Sequence, residues 1–360
     1  MARAPDHTAA SAIPACDAGT LLTACAPVQG APASPLPIDQ HQLVTPLRPL
    51  HLERELTSHP DRHFVNQLLH NLQHGCNIGY VGPHFPHTAR HLSTAYTNPH
   101  IITQTLAKEC TAGRMAGPYT HPPLPNLRCS GLGVVPKKDG GWRVIYHLSA
   151  PSGISINDHI DPARFSLHYC TIDSAIAILN TLGRGALMGK IDLKNAFRLM
   201  PVRREDWHLL GIHWNHQWYV DKCLPFGLRS SPALFNQLAS AIEWILHHNY
   251  GIHHIIHYLD DFFTAGPPDS PVCSQNMAMM NQLCQHINAP TKPEKEEGPS
   301  TVLTFLGIQL DTTTMQASIT QERKEEILHA IRHIHKRHTC TKKTCSLSSA
   351  SWHSSARSFP

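Results

Sequence analysis

Apolar positions recur along this chain in two periods, and the change from one to the other marks out its elements. In "LERELTSHPDRHFVNQLLHNLQHG" Phe64, Leu68, Leu69 and Leu72 fall at helical spacing and Gly75 closes the run, so a helix is predicted. "NPHIITQTLAKECTAGRM" predicts a second helix, with Asn98 as its cap and Pro99 in its first turn. After the proline-rich "HPPLPNL" the period shortens. Leu132 to Val135 and Trp142 to Leu148 read as strands around a tip of Lys137, Lys138, Asp139, Gly140 and Gly141. "ALMGKID" reads as an apolar strand ending at Asp192, and "WHLLGIHWNHQWYVD" as a hairpin.

A long helix is predicted from Ser231 and Pro232, with Leu234, Phe235, Leu238, Ile242, Ile245 and Leu246 on one side. "IIHYLDDFFTAG", Ile255 to Gly266, is another hairpin, and "VLTFLGIQLD", residues 302 to 311, a further strand. "TQERKEEILHAIRHIHKR" predicts an amphipathic helix through Ile327, Ile331 and Ile334. Strands and helices intermix without a βαβ period and without internal repeats, which predicts an α+β fold.

Composition adds limits. Of 360 residues 41% are hydrophobic and 16% charged, enough apolar mass for one large or two ordinary domains. Residues 1 to 44 are rich in Ala, Pro, Thr and Ser and are expected to be disordered. A net charge of +4 is too small to indicate nucleic acid by itself. Eleven scattered cysteines without a CxxC pair predict a reduced, intracellular protein, with cytoplasm and nucleus left open. No apolar run is long enough to span a membrane, and Asp17 interrupts any signal-peptide core. His333, His335, His338, Cys340 and Cys345 allow a zinc knuckle or a basic helix end running into a loose tail; their spacing fits no regular ligand pattern.

The candidate chemistry lies in "YLDD". Asp260 and Asp261 stand between Ile255, Ile256, Tyr258, Leu259, Phe262 and Phe263, so the acids emerge from a buried sheet. Clustered carboxylates there repel one another unless a cation neutralises them. Magnesium suits such oxygens and shares its remaining positions with phosphates. If "ALMGKID" is a neighbouring strand, Asp192 and Asp260 can hold two ions about 3.5–4 Å apart. Between the acids, "LPFGLRSSPALFNQ" places Pro225 and Gly227 in a tight turn where backbone can approach a ligand.

The ordered set "KIDLKNAF", "LPFGLRSSPALFN", "YLDD" and "LTFLGI" resembles the palm motifs of reverse transcriptases, and "VPKKDGGWRVIYHLS" resembles their fingers hairpin. "GPHFPHTARHLSTAY" and "NLRCSGLGVVPKKDG" are most similar to polymerases of DIRS-type, tyrosine-recombinase retrotransposons. The resemblance covers roughly residues 45 to 345. It implies a right-hand polymerase fold: a helical extension over 45–120, fingers and palm over 121–311, and the start of a thumb over 312–338. It implies an RNA-directed DNA polymerase acting on a primed RNA or DNA template with deoxynucleoside triphosphates and two Mg2+ ions, or Mn2+. A decayed or domesticated palm that at most binds nucleic acid is the alternative, and an RNA virus replicase shares the palm. Oligomeric state stays open.

By the same resemblance Asp192 and Asp260 match the metal-binding carboxylates and Asp261 the third acid. Phe197 matches the aromatic gate against a ribose 2′-hydroxyl, and Asn195 and Ala196 match backbone facing the triphosphate. Lys137, Lys138 and Arg143 match the basic fingers; which lysine corresponds is open, because the Asp139 to Trp142 spacing is short. Phe226 and Gly227 match the nucleotide-pocket turn, with Phe226 where retroviral enzymes carry Gln. Lys295 lies near the family's fourth palm motif and is a candidate to reach the triphosphate. Arg229 is a candidate for template or phosphate, Tyr258 for packing or primer, and Phe305, Leu306 and Gly307 resemble the primer grip.

Residues 339–360 read as an irregular tail, and after Cys345 no helical period is left. One codon string for Cys345 to Ser354, read two bases later, spells Leu-Ser-Leu-Ile-Gly-Lys-Leu-Ala-Phe, close to the resembled family's "SLIGKLSF". A frameshift or a mispredicted exon near Cys345 is therefore expected, leaving a truncated thumb and no RNase H or recombinase domain.

Overall fold

The apolar stretches around Asp192 and around the Asp260–Asp261 pair become neighbours in one antiparallel sheet. Its strands run in the order Glu297–Ser300, Leu187–Asp192, Asp261–Gly266 and Ile255–Tyr258. These positions come from a computed structural model that describes residues 43–137, 140–337 and 357–358. The expected disorder of residues 1–42, Lys138, the side chains of the His333 to Cys345 cluster and nearly all of the tail lie outside it.

Successive residues of a strand face opposite sides. On one side Ile191 and Phe262 join the core formed with the helices Ser231–His248 and Val272–Ile287. On the other, Met188, Phe263 and Ala265 pack with the helix Ile172–Leu182 and with Leu303, Phe305 and Leu310. The sheet is therefore covered on both faces, which is why its strands read as continuous apolar runs. All six apolar residues predicted on one side of the long helix are buried, each removal from water being worth about 1.5–3 kcal/mol.

The basic hairpin forms from Gly131–Pro136 and Trp142–His147, with Val135 opposite Arg143. Lys137 N–H closes its tip on Gly141 O at 2.8 Å. Leu132, Val134 and Val144 pack it against Ile102 and Leu106 of the helix Pro99–Thr111. A second hairpin, Gly211–Trp214 and Gln217–Asp221, turns on Asn215 (φ 50°) and His216 (φ 59°), and joins a five-stranded sheet beside Met115–Tyr119.

Three expectations are corrected. Residues 302 to 311 are not one strand but two, Val302–Phe305 and Ile308–Asp311, folded back at Leu306 (φ 51°) and Gly307 (φ 78°). The turn residues themselves are an apolar residue and a glycine, so periodicity runs through the fold-back. Trp207 to Leu209 lie not in a strand but in the short helical turn Arg204–Leu209, where the Trp207 indole donates to Val202 O at 2.8 Å. Asn98 precedes its helix but makes no cap bond; its amide donates to Thr94 O at 3.3 Å.

The helix Gln321–Arg337 forms, and Leu328 and Ile331 on it are exposed. Strand Gln316–Ile319 pairs with Arg357–Ser358. Among the described residues no helix is long and apolar enough to cross a membrane, and Cys76, Cys110, Cys129, Cys170, Cys223, Cys273 and Cys284 are free thiols.

One contact of the basic hairpin carries a pH dependence. His91 Nδ1 accepts from Leu132 N–H (3.0 Å), and Nε2 donates to His213 O (3.0 Å), an arrangement only the neutral ring satisfies. Burial lowers its pKa below the ordinary 6.5, and burial lowers His213 likewise. A depressed folded pKa gives stability that is full above about pH 6.5 and is lost as pH falls through the lower folded value. The thermal midpoint should therefore drop as pH falls below about 6.5, with a shallower slope in His91→Asn, which keeps an acceptor for Leu132 but cannot titrate.

Candidate active site

Strand register decides the geometry. Asp261 lies directly opposite Asp192 in the antiparallel ladder, and such partners project from the same face with Cβ atoms about 4.5–5.5 Å apart. Asp260 sits in the two-residue turn with Leu259 (φ 53°), and its carbonyl accepts from Leu193 N–H at 2.9 Å. Asp192 is buried. Burial, then the charges of Asp260 and Asp192, push the Asp261 carboxyl up to about 6. Burial and Asp192 raise Asp260 as well. Like charges have been gathered at a place that would shed them.

What balances them is Lys292. Its ammonium bonds to Asp192 Oδ1 and stands 3.8 Å from Asp260 Oδ2. Its backbone N–H donates to Asp192 O at 2.9 Å, so the residue is laced to the strand end at both levels. Lys190, on the same strand face as Asp192, also lowers Asp261 and bonds Glu297 Oε1 at 2.6 Å. Among the described residues no three His, Cys, Asp or Glu side chains converge on one point; here the ammonium stands between Asp192 and Asp260. A carboxylate cluster that already holds a cation is chemically suited to a hard divalent one.

Beyond Asp192 the chain turns on Asn195 (φ 69°) and Ala196 (φ 34°), two successive non-glycine residues in the left-handed region. Such backbone costs on the order of 1–3 kcal/mol per residue and persists only where its surroundings enforce it. Arg198 N–H donates to Asn195 O at 2.8 Å, and the Arg198 guanidinium is locked below by Asp221 (2.7 Å) and Glu109 (2.9 Å). The turn delivers Phe197 into a slot between Phe226 (centroids 5.0 Å) and the edge of Phe235 (5.6 Å).

Gly227 (φ 101°) is required by contact as well as by conformation, since a Cβ there would lie 2.5 Å from Tyr146 O. Asn157 ties this turn down, donating to Gly227 O and accepting from Arg229 N–H, both at 2.8 Å. Arg229, expected to meet template or phosphate, spends its Nη1 on the carbonyls of Asn157 (2.5 Å) and Ile160 (2.9 Å). Its place in the fold is that of a brace for the Gly227 turn, because those carbonyls need a donor.

The basic residues gather in a cavity of about 530 Å³ lined by Val135, Pro136, Lys137, Arg143, Lys292, Glu294 and Lys295. Arg143 also lies over the Phe226 ring at 5.7 Å, a cation–π contact. The cavity therefore touches the carboxylate cluster through Lys292 and the aromatic slot through Arg143. Tyr258 packs against Tyr169 (centroids 4.9 Å). Phe305 does not line a surface: its ring is core, 5.1 Å from Phe263, because alternation in the strand turns it inward. Of the expected grip only half-buried Leu306 and exposed Gly307 are open to a ligand.

Residues 135–310 match the family described as reverse transcriptase (RNA-dependent DNA polymerase). Over these residues the chain carries a reverse transcriptase domain of the retroviral or retroelement type. It is 24% identical over 219 residues to the Gag-Pro-Pol polyprotein of Human T-cell leukemia virus 2, covering 57% of this chain and 13% of that one. To the Mason-Pfizer monkey virus Gag-Pro-Pol polyprotein it is 26% identical over 209 residues, covering 54% and 11%. The chain thus spans a small part of the curated relatives it matches.

Among solved structures, a foamy viral protease-reverse transcriptase with double-stranded DNA superposes with a TM-score of 0.53 at 20% identity, over 82% of this chain and 50% of that one. The same kind of enzyme with an RNA/DNA hybrid gives 0.51 at 20%, over 82% and 39%. The fold is accordingly the right-hand fold of these polymerases. Residue order points to Lys295, near the resembled family's fourth palm motif, and gives no sign of Lys292. "TKPEKEE" offers several charges, and only the bridge between Leu193 and Thr291 reveals which one reaches Asp192.

Proposed function

We propose that this domain is the RNA-directed DNA polymerase core of a DIRS-type retroelement, extending a primer 3′ end with deoxynucleotides. Residues 45–120 are assigned to an N-terminal extension, 121–311 to fingers and palm and 312–338 to the start of the thumb. The observation that carries the reading is a single one. Asp192 and Asp260 bracket one ammonium at the mouth of a basic cavity.

Asp192 and Asp260, supported by Asp261, would hold two Mg2+ ions, with Mn2+ as a substitute. Such ions, when bound, supply activation of the primer 3′-hydroxyl and neutralisation of the leaving pyrophosphate. The other residues bind and orient. Lys137, Arg143 and Lys295 accept the triphosphate, Arg by its planar fork, with the backbone of Asn195 and Ala196 beneath it. Lys138 would join them. Phe197, held upright by Phe226 and Phe235, fills the space a 2′-hydroxyl needs. Gly227 lets the pocket turn approach the base-bearing strand, and Tyr258, Leu306 and Gly307 support the primer. Template and primer bind mainly through phosphate charge, so affinity falls with salt.

The test is primer extension on an RNA template with deoxynucleotides, beside an Asp260→Ala control. No extension by the purified chain, or equal extension by the control, rejects the reading. The gate gives a separate prediction. Phe197→Ala should raise kcat/KM for ribonucleotides relative to deoxynucleotides by about 10–100-fold, the range a steric pocket supplies. An unchanged ratio in competition assays would leave Phe197 as ordinary core.

A further inference from the structure

We infer that Lys292 is an exchangeable counter-ion of the catalytic carboxylates: it holds Asp192 and Asp260 together without a divalent ion and withdraws into the basic cavity when one binds. The inference rests on the proposed metal role of those two acids and adds a residue that couples metal to polyphosphate.

The backbone around Lys292 is pinned. Its N–H donates to Asp192 O (2.9 Å), its carbonyl accepts from Lys295 N–H (2.9 Å), and Lys194 N–H donates to Pro290 O (2.7 Å). Thr291 bridges Leu193. The Cα is thereby fixed beside Asp192, and only the flexible stem can move. Two environments lie within reach of its head. One is the carboxylate pair, where it bonds Asp192 and stands 3.8 Å from Asp260. The other is the cavity it lines with Lys137, Arg143 and Lys295.

The two positions respond oppositely to ligands. An ammonium and a divalent ion cannot share the same carboxylate oxygens, and the divalent ion, with twice the charge and a preference for oxygen, displaces it. The displaced ammonium then enters a cavity that already holds three cations against Glu294. That is unfavourable until a polyphosphate occupies the cavity. Metal and polyphosphate should therefore strengthen each other's binding, and linkage makes that strengthening reciprocal.

Calorimetric titration of Mg2+ into the full chain, with and without inorganic triphosphate, tests this. Wild type should bind Mg2+ weakly alone and about tenfold more tightly with triphosphate present, a size usual for coupled sites. Lys292→Met should bind Mg2+ about tenfold more tightly without triphosphate and lose most of the enhancement. Its thermal midpoint should be lower than wild type in EDTA and recover in Mg2+. Unchanged or weaker Mg2+ binding by Lys292→Met overturns the inference while leaving the metal reading in place. Mg2+ binding that is absent from wild type, or indifferent to Asp192→Asn, overturns the metal reading itself.

Should the variant not fold, acetylation of wild type read by mass spectrometry decides the matter. Lys292 should be modified several-fold faster in Mg2+ than in EDTA, and an equal or slower rate in Mg2+ overturns the exchange.

Discussion

Asp260→Asn should reduce primer extension on the order of 10³-fold or more while leaving the protein folded. The estimate takes metal-held charge stabilisation as several kcal/mol of the barrier, at about 1.4 kcal/mol per factor of ten. The fold should survive because Asp260 sits in a turn, not in a ladder, and because its charge is disfavoured where it stands. Burial and Asp192 raise its pKa, so an uncharged isostere relieves repulsion in the metal-free protein. Asp192→Asn should lose extension to a similar degree but gain less stability, since Asp192 bonds Lys292 directly. Asp261, pushed up to about 6, contributes stability that is present below about pH 4 and lost as pH rises through 6. Asp261→Asn should therefore stabilise the metal-free chain at neutral pH and cost less activity than Asp260→Asn. Single-turnover extension and thermal unfolding in EDTA, run on the same preparations, check both halves. Active Asp260→Asn protein would sink the assignment.

Arg198→Met should destabilise the protein by about 3–5 kcal/mol, the cost of removing one partner from a buried charge network. Arg198 is buried, bonding Asp221 Oδ2 (2.7 Å), Glu109 Oε2 (2.9 Å) and Cys223 O (3.1 Å). Asp221 is more enclosed still, and burial raises its pKa despite the guanidinium. Without Arg198 it becomes an uncompensated acid in the core. Glu109 keeps Arg114, whose Nε and Nη2 bond its two oxygens at 2.8 Å, so most of the loss should come from Asp221. Adding Asp221→Leu to Arg198→Met should recover a large share of the stability, because replacing a whole buried pair by apolar groups is often neutral. Urea denaturation across the four-member cycle measures it. A loss under about 1 kcal/mol for the single variant would mean that the network does not hold this turn. Phe197 follows Asn195 and Ala196, so the same variant should also loosen ribonucleotide exclusion.

Some of this was legible from residue order. The six buried positions of Ser231–His248 and the hairpin around Leu259 and Asp260 follow from apolar spacing, because burial repeats with the geometry of helix and strand. The acids were legible too, since a charged pair flanked by aromatic and aliphatic residues conflicts with its context. Other features were not. The turn at Leu306 and Gly307 sits inside an unbroken apolar pattern, so period could not show that residues 302 to 311 double back. Arg229 and Arg198 look alike in sequence as single arginines beside motifs, yet one braces carbonyls and the other lies in the core. Nothing local distinguishes them, because the partners come from Asn157, Ile160, Glu109 and Asp221, far along the chain.

Residue types, their order and the kind of element that carries each are properties of residue order: two aspartates at strand ends and a third in a hairpin turn, an aromatic after the first, lysines and an arginine at a hairpin tip. The tertiary structure alone decided that Asp261 stands opposite Asp192, that Phe305 turns inward, and that Lys292, not only Lys295, faces the acids. The physical reason is that spacing fixes direction along an element, whereas strand register and loop lacing fix which elements meet. Electrostatic balance at the acids depends on that meeting, since a charge is neutralised by whatever the fold brings within a few ångströms, however distant it is in the chain.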